Sequence, residues 1–266
     1  MSTPNITRKF VSFFAPTENR FCTAEQGTGI VTCNRTWVQQ WELFSLIEDK
    51  TSGDKLIQAN EGRKFLSVQP DGSLKANQTS AVREARFEID EDRRSIRSVF
   101  NKKYLGIRNG KVCADYDNKY FFETFNVEII AISDRENVSY ARRGQVTDQK
   151  VKNAILMDST DAKDFYMLTD SDNNIYLETS DFEFLLPHNT TEPVGYSQTA
   201  IDTQNFKVVL EPVSGEVDLF KIKSIKTGYY FKMDTRTFGG KEAKVIYCDS
   251  ESGKGEACQF KIRSNR

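Results

Sequence analysis

The chain has 266 residues, of which 38% are hydrophobic and 28% are charged, a composition typical of a soluble globular protein with one or two domains. Its 37 basic and 38 acidic residues leave a formal net charge of −1, whereas nucleic-acid-binding domains are usually strongly basic. We therefore expect no nucleic-acid partner. No apolar run approaches the roughly 18 residues that a membrane-spanning helix requires, so we also expect no membrane insertion.

A short motif recurs three times in the first half of the chain, each time as a basic residue, an aromatic residue and then Cys or Leu. Its copies are Arg20-Phe21-Cys22, Lys64-Phe65-Leu66 and Lys103-Tyr104-Leu105. Each copy is followed by a Gly-containing turn and a second short strand pattern, at residues 31–33, 74–76 and 112–114. This order predicts three β-hairpins, because Gly-containing turns between short apolar segments are typical hairpin connections.

A third strand pattern completes each repeat, with an aromatic, a polar and an aliphatic residue in succession. Its copies are Trp41-Glu42-Leu43, Phe87-Glu88-Ile89 and Phe125-Asn126-Val127. We expect Trp41, Phe87 and Phe125 to be equivalent and buried. Three all-β repeats of about 40 residues, none able to close a core alone, predict a β-trefoil, since three blades are too few to close a propeller.

The second half ends with the same order of patterns, at Gly228-Tyr229-Tyr230-Phe231, Val245-Ile246-Tyr247 and Phe260-Lys261-Ile262. The chain is therefore predicted to be all-β, with two tandem β-trefoil domains and little helix. We place the first domain at residues 8–131 and the second, more divergent domain at residues 132–266.

The repeats also carry a resemblance to a known family. Its strongest segments are residues 20–25, 38–43, 62–66, 71–72, 86–89 and 102–106. The sequence there resembles the fascin family, the actin-bundling proteins built of β-trefoils, over most of residues 10–131 and more faintly over residues 137–260. The resemblance implies a non-enzymatic, cytoplasmic protein of the cytoskeleton that binds and bundles actin filaments.

The chain departs from that family in two respects. Fascins contain four trefoils, whereas this chain has room for two. The family's Ser- and Lys-rich segment, tied to actin binding and to phosphorylation control, corresponds here to residues 33–40, which retain one basic residue, Arg35, and no Lys. Thr36 is the hydroxyl residue left in this segment and is the candidate regulatory position.

Residues 93–111 contain seven basic residues and no acidic residue. Strand side chains alternate between two faces, so about four or five of these bases are expected on one surface. We interpret them as a docking patch for an acidic actin filament, which electrostatic steering would favour; the alternative is a solvated rim. The candidate actin-binding residues are Arg93, Arg94, Arg97, Lys102, Lys103, Arg108 and Lys111. Asp90, Glu91 and Asp92 precede the stretch directly and are positioned to pair with it.

A carbohydrate- or small-ligand-binding module is the alternative function. Gln39-Gln40-Trp41 is a Q-x-W triplet, which is the signature of ricin-type lectin trefoils. In those lectins the triplet recurs in each repeat, whereas here Glu84-Ala85-Arg86 and Thr124 stand at the equivalent positions. A filament co-sedimentation assay beside a glycan array separates the two functions. Binding in neither assay would favour an interaction module without either ligand.

The five cysteines, Cys22, Cys33, Cys113, Cys248 and Cys258, form no C-x-x-C pair, so no zinc site is predicted. The first residues lack the succession of charged, apolar and small residues that is typical of a signal peptide. We therefore expect reduced, buried thiols in the cytosol.

Catalytic and metal-binding patterns are weak. His188 is the sole histidine and lies in a polar loop without a nucleophile motif, whereas a general base requires a partner and a pocket. Asp170-Ser171-Asp172-Asn173-Asn174 begins like a calcium loop, but Ile175 replaces the required Gly and Asp181 the required Glu. We interpret this segment, like Gly27-Thr28-Gly29, as a turn between strands. We expect no enzymatic activity, no metal and no cofactor.

Bundling requires two filament-binding surfaces on one particle. The second half has no dense basic stretch, and its nearest groups are Arg142-Arg143 and Lys221-Ile222-Lys223. We therefore expect one strong surface per chain, so that a monomer binds singly and any bundling depends on a homodimer.

Overall fold

The computed structural model describes residues 7–38, 40–49, 52–90, 94–144, 154–179, 184–187, 192–197 and 205–264. These residues form 23 strands and two short 3-10 helices, and the strands pair antiparallel. The predicted all-β class is confirmed. The chain divides into two compact units, residues 1–127 with 170–172, and residues 128–169 with 173–266. No helix in the described part is long and apolar enough to cross a membrane.

The first unit contains eleven complete strands and the beginning of a twelfth, together with a 3-10 helix at Arg83–Ala85, counted over its described residues. The strands are β1 (Thr7–Ala15), β2 (Arg20–Ala24), β3 (Val31–Arg35), β4 (Phe44–Glu48), β5 (Lys55–Ala59), β6 (Phe65–Val68), β7 (Leu74–Gln78), β8 (Arg86–Asp90), β9 (Ser95–Ser98), β10 (Tyr104–Arg108), β11 (Lys111–Tyr116) and β12 (Glu123–Asp134).

Six strands of the first unit pair around a circle. β1 pairs with β4, β4 with β5, β5 with β8, β8 with β9, and β12 with β1. The circle is completed by a hydrogen bond from the N–H of Phe122, beside β12, to the carbonyl of Arg94, beside β9, at 2.8 Å. The other six strands form the hairpins β2–β3, β6–β7 and β10–β11, as the repeated motif predicts.

The three hairpins are joined to one another in a closed ring. In each of them one backbone N–H donates a hydrogen bond to the carbonyl of a glycine in another hairpin. The pairs are Cys33 with Gly110 at 3.0 Å, Ala76 with Gly29 at 2.7 Å, and Ala114 with Gly72 at 2.8 Å. The ring therefore repeats one contact three times, and its donors are the last residues of the three predicted second strands.

The threefold repetition extends to the strand register and to the core. Each hairpin has a register shift within the repeated motif, directly after its aromatic residue. Four sets of three buried side chains at corresponding positions in or directly beside the strands fill the core. The sets are Phe13, Ile57 and Ile96; Cys22, Leu66 and Leu105; Val31, Leu74 and Val112; and Phe44, Phe87 and Phe122.

The expected set of Trp41, Phe87 and Phe125 is therefore wrong in two of its three members. Trp41 is only half-buried and precedes β4, whose first residue Phe44 is fully buried. Phe125 is fully buried, as expected, but its ring packs 5.6 Å from that of Phe21, outside the barrel core. The pattern of an aromatic, a polar and an aliphatic residue can occur twice, three residues apart, as it does at Trp41 and Phe44. The sequence pattern therefore does not decide which copy is in the core, and the hydrogen-bond register does.

The second unit contains the rest of β12, a 3-10 helix at Glu256–Cys258 and eleven further strands in its described residues. They are β13 (Tyr140–Gly144), β14 (Ala154–Ser159), β15 (Phe165–Thr169), β16 (Ile175–Thr179), β17 (Phe184–Leu186), β18 (Gly195–Ser197), β19 (Lys207–Pro212), β20 (Leu219–Ser224), β21 (Tyr230–Phe238), β22 (Lys241–Ser250) and β23 (Phe260–Ser264).

Six strands of the second unit also pair in a complete circle, in the order β12, β15, β16, β19, β20, β23 and back to β12. The other strands form the hairpins β13–β14, β17–β18 and β21–β22. A separate core that includes Phe165, Phe231 and Phe260 fills this circle. The register shift after an aromatic residue recurs at Tyr140 and Tyr230.

Cys22 and Cys33 form a disulfide across the β2–β3 hairpin, with their Cα atoms 4.0 Å apart. The expectation that all five cysteines are reduced thiols is wrong for this pair. The physical reason is register, because Cys22 lies directly opposite Cys33 and both side chains belong to the barrel core. Cys113, Cys248 and Cys258 are buried free thiols, as predicted.

The corresponding cross-strand pair in the next hairpin is Leu66 with Ala76. The double substitution Cys22→Leu with Cys33→Ala therefore keeps an apolar pair and removes only the cross-link. We expect it to lower the free energy of unfolding by about 2–4 kcal/mol relative to the oxidised protein, because the disulfide restricts the unfolded chain. Denaturation with and without reductant measures this loss. An equal effect of reductant on both proteins would contradict the role assigned to the disulfide.

Candidate functional site

The predicted basic patch follows the chain from the start of β9 to the start of β11. Arg97 lies on β9, Lys102 and Lys103 lie between β9 and β10, Arg108 ends β10, and Lys111 begins β11. Arg93 lies outside the described residues. The patch therefore consists of separate positions around one hairpin, and the ion pairs of each position decide what it can bind.

Arg94 is held by carboxylates of the first unit. Its guanidinium lies 3.6 Å from Glu123 and 2.6 Å from Asp172, and its side chain is 23% exposed. The hydrogen bond to Asp172 is the main reason why the pKa of Arg94 is raised, and the charges of both carboxylates add to it against the effect of burial. The guanidinium also lies 5.3 Å from the ring centroid of Phe121. These contacts give Arg94 a structural role.

The acidic residues around Arg94 form the group of described residues that could best hold a cation. Oxygen atoms of Glu123, Asp170 and Asp172 lie within 4.8 Å of one another, and carboxylate oxygens are preferred Ca²⁺ ligands. Arg94 pairs with two of these carboxylates and so supplies the positive charge they require. Asp170 and Asp172 belong to a turn between β15 and β16, as predicted.

Arg97 and Lys102 share one carboxylate on the neighbouring strand β8. Glu88 lies 3.6 Å from Arg97 and 3.1 Å from Lys102, whose side chain is 53% exposed. Lys103 pairs with Asp117. Exposed ion pairs of this kind contribute at most about 1 kcal/mol to stability, so Lys102 and Lys103 can exchange these carboxylates for those of a partner.

Arg108 and Lys111 flank the β10–β11 turn. Arg108 pairs with Asp115 at 2.5 Å and lies 5.9 Å from the ring centroid of Tyr116, yet its side chain is 62% exposed. Lys111 is exposed and lies opposite Thr32 on β3. Both cations are therefore accessible at one end of the hairpin.

The expected acidic partners of the stretch were Asp90, Glu91 and Asp92. Asp90 pairs at 3.0 Å with Lys119, which lies beyond the stretch, while Glu91, Asp92 and the first base of the stretch, Arg93, lie outside the described residues. The carboxylates seen to pair with the described bases of the stretch come from β8, from β11 and its following turn, from the start of β12, and from residue 172. Strand pairing brings these carboxylates next to the bases, so their positions could not be predicted from proximity in the sequence.

Residues 33–40 are the segment that the resemblance aligns with the Ser- and Lys-rich segment of fascins. Ion pairs within the first unit hold the base of this segment. Arg35, its one base, lies 3.2 Å from Glu25 and 3.6 Å from the fully buried Glu42. Burial raises the pKa of Glu25, but hydrogen bonds from Thr32, Asn34 and Arg35 outweigh that effect and lower it overall. Arg35 is therefore committed to two carboxylates.

Thr36 follows β3 directly and is half-buried. A kinase would have to reach a hydroxyl that is partly covered by its own domain. Thr36 therefore remains a candidate regulatory residue only if this segment opens locally.

The lectin-like triplet does not form an open platform in the described residues. Trp41 is half-buried, and its carbonyl accepts a hydrogen bond from the N–H of Ala24 at 3.1 Å. Gln40 is exposed, whereas Gln39 lies outside the described residues. The cavity in the first barrel is lined by apolar core side chains and has a volume of about 20 Å³, room for about one water molecule and too small for a sugar.

Cysteine can act as a nucleophile and histidine as a base in catalysis. Burial is the main cause that raises the pKa of the Cys113 thiol to about 12, and the nearby Asp115 adds to it. The Cys113 thiol is therefore protonated at neutral pH and is a poor nucleophile. His188 lies outside the described residues.

Comparison with known proteins gives one family match, within the first unit. The family model of the Fascin domain matches residues 18–127. A search of curated proteins gives no match. Among solved structures, a salivary protein from Culex quiquefasciatus of the cysteine and tryptophan-rich family is similar, with 17% identity and a TM-score of 0.41 over 53% of this chain and 95% of that chain.

Proposed function

We propose that this chain, which contains a fascin domain at residues 18–127, is a non-enzymatic protein that binds actin filaments. The match to the fascin domain is the observation that carries the proposal. The exposed cations Lys102, Lys103, Arg108 and Lys111 support it, because cations on exposed turns accelerate association with an acidic filament. The proposal narrows the predicted patch to these four residues. Arg94 is paired with both Glu123 and Asp172, and Arg97 donates a hydrogen bond to the Lys102 carbonyl at 2.9 Å in addition to its ion pair with Glu88.

Two tandem β-trefoils, at residues 8–131 and 132–266, are the architecture proposed for this function. A circle of six strands with three hairpins in each unit supports this architecture. The glycine-carbonyl ring gives the first unit its threefold character. A crystal structure in which the six-stranded circle of the second unit is open would contradict the second trefoil.

The pairs Arg63-Lys64 and Lys102-Lys103 provide a matched test of the filament-binding surface. Arg63 and Lys102 both have positive φ, at 48° and 60°, and Lys64 and Lys103 carry equivalent carbonyls that accept bonds from β5 and β9. The charge reversals Lys102→Glu and Lys103→Glu together should weaken filament binding by about tenfold at low salt, because a rim cation mainly affects the association rate. High-speed co-sedimentation measures this loss.

The control is the pair of reversals Arg63→Glu and Lys64→Glu, which changes the net charge equally at the equivalent turn. We expect it to bind filaments like the wild type. Equal weakening by both variants would indicate a general charge effect and remove Lys102 and Lys103 from the site. Binding of the wild-type chain to a glycan array, without sedimentation on filaments, would contradict the proposed function and favour the lectin-like alternative.

The proposed location is the cytoplasm, in association with the cytoskeleton, because filaments are there. Disulfides are rare in that compartment, so the proposal requires Cys22 and Cys33 to function also as two thiols. The apolar pair Leu66–Ala76 supports this requirement, since an equivalent hairpin forms without a cross-link. Fluorescence imaging in which the tagged chain does not co-localise with actin filaments would contradict this location.

Bundling is a further step that requires two filament-binding surfaces. A homodimer of this chain would provide them, as would a second surface on the same chain.

A further inference from the structure

The paired strands β19 and β20 in the circle of the second unit have an outward face that carries three lysines, two aliphatic residues and one glutamate. The cross-strand neighbours on this face are Lys207 with Ile225, Val209 with Lys223, and Glu211 with Lys221. Residues directly opposite in an antiparallel pair share one face, so the six side chains form a grid of three rows. We name this grid the lysine–aliphatic face.

The aliphatic residues of this face are unusually exposed. Val209 is 39% exposed and Ile225 is 48% exposed, whereas the alternate residues Val208 and Ile222 are buried in the core. The described part of the chain has five exposed large hydrophobic residues, and two of them belong to this one grid. Their clustering indicates a contact surface, because exposed aliphatic residues are otherwise scattered singly.

The lysines of the face are half-buried, and none of them is engaged by a carboxylate within the described residues. In the part of the chain that the structure describes, Lys207, Lys221 and Lys223 form no ion pair, in contrast to Lys102, Lys103 and Arg108 of the first unit. Lys223 lies over the ring of Tyr230, with its ammonium 5.2 Å from the centroid. A partner carboxylate would therefore not have to displace an existing one from these three lysines.

The single acid of the face is fixed at one edge. The hydroxyl of Tyr230 donates to both carboxylate oxygens of Glu211, at 3.0 and 2.9 Å. Three lysines against one carboxylate leave the face with two net positive charges. An acidic surface is its electrostatic complement.

We infer that the lysine–aliphatic face is a second protein-binding surface, whose partner is an acidic protein surface that also offers aliphatic side chains. The aliphatic residues favour a protein over a nucleic acid, because a nucleic-acid surface of this kind would be expected to use aromatic or Arg stacking. We identify this partner as a second actin filament, and that identification rests on the proposed function. A single chain would then carry one filament-binding surface on each unit, and bundling would not require a homodimer.

The test uses full-length protein and compares binding with bundling. The triple variant Lys207→Gln, Lys221→Gln and Lys223→Gln removes the three charges and leaves at each position a polar side chain that is one atom shorter. The matched control is Lys163→Gln, Lys241→Gln and Lys254→Gln, which removes three exposed charges of the second unit outside the face. Thermal unfolding establishes that both variants are folded, and the mass in solution establishes the oligomeric state.

For a monomeric wild type, we expect filaments to sediment at low speed as bundles. The triple variant should require about tenfold more protein to bundle filaments, while it still co-sediments with single filaments at high speed through the first unit. The control should behave like the wild type. Unchanged bundling by the triple variant would overturn the inference, as would a wild type that binds filaments and bundles them only as a dimer.

If the proposed function is wrong, the experiment gives a result that differs from both outcomes above. In that case the wild type would not co-sediment with filaments at high speed at all. If the wild type binds, a combined variant that adds Lys102→Glu and Lys103→Glu to the triple variant should lose the remaining filament binding. Retained binding by this folded combined variant would also overturn the inference, because neither identified surface would then be responsible.

Discussion

Replacing Phe87 by alanine should lower the free energy of unfolding of the first unit by about 3–5 kcal/mol, because the ring is fully buried and its loss leaves a cavity. Phe87 packs in the barrel core in one set with Phe44 and Phe122. A loss of this size is a large share of the stability of a typical domain, which is about 5–15 kcal/mol. Chemical denaturation followed by circular dichroism measures it.

Trp41→Ala is the informative comparison. Trp41 was expected to be equivalent to Phe87, but it is half-buried and lies outside the barrel core. We expect its replacement to cost about 1–2 kcal/mol, since truncation removes less buried apolar surface. A cost equal to that of Phe87→Ala would place Trp41 in the core and contradict the strand register in which Phe44 is the core residue.

Gly29→Ala should destabilise the first unit by about 3–4 kcal/mol, because two unfavourable effects combine at this position. Its φ of +67° is in the left-handed region, where a side chain costs about 1–2 kcal/mol. A Cβ at this position would also lie 2.7 Å from the carbonyl oxygen of Ala76, whose N–H donates to the Gly29 carbonyl. Relief of the clash would separate two hairpins of the ring.

Gly110 separates these two effects. It has a φ of +72° and its carbonyl accepts the equivalent ring bond from Cys33, but no atom lies within 4 Å of a Cβ built there. Gly110→Ala should therefore cost only the conformational part, about 1–2 kcal/mol. Thermal or chemical denaturation of the two variants in parallel measures the difference. Equal losses would show that the approach of Gly29 to Ala76 contributes nothing to stability.

The hairpins and the repeated motif could be predicted from the sequence because they depend on local chemistry. A basic residue, an aromatic residue and an apolar residue before a glycine turn specify where each hairpin begins. The structure adds that the chain has a register shift after each of these aromatic residues. The all-β class follows from the same local patterns, so it needed no information on distant contacts.

The register of the third strands could not be predicted in this way. Trp41 and Phe44 are both aromatic and both precede aliphatic residues, and only the pairing of β4 with β1 and β5 places Phe44 in the core. The disulfide was missed for a related reason. Cys22 and Cys33 are eleven residues apart, and they become direct neighbours only because the hairpin pairs them.

For the candidate site, too, one part could be predicted from the sequence and another part depended on the tertiary structure. The sequence by itself determined that seven bases lie within residues 93–111 and that the second half has no comparable stretch. Only the tertiary structure decided which charges are accessible, because Glu123 and Asp172 reach Arg94 from distant parts of the chain. It also brought Lys207 beside the Lys221–Lys223 segment, since antiparallel pairing makes neighbours of residues that no local pattern connects.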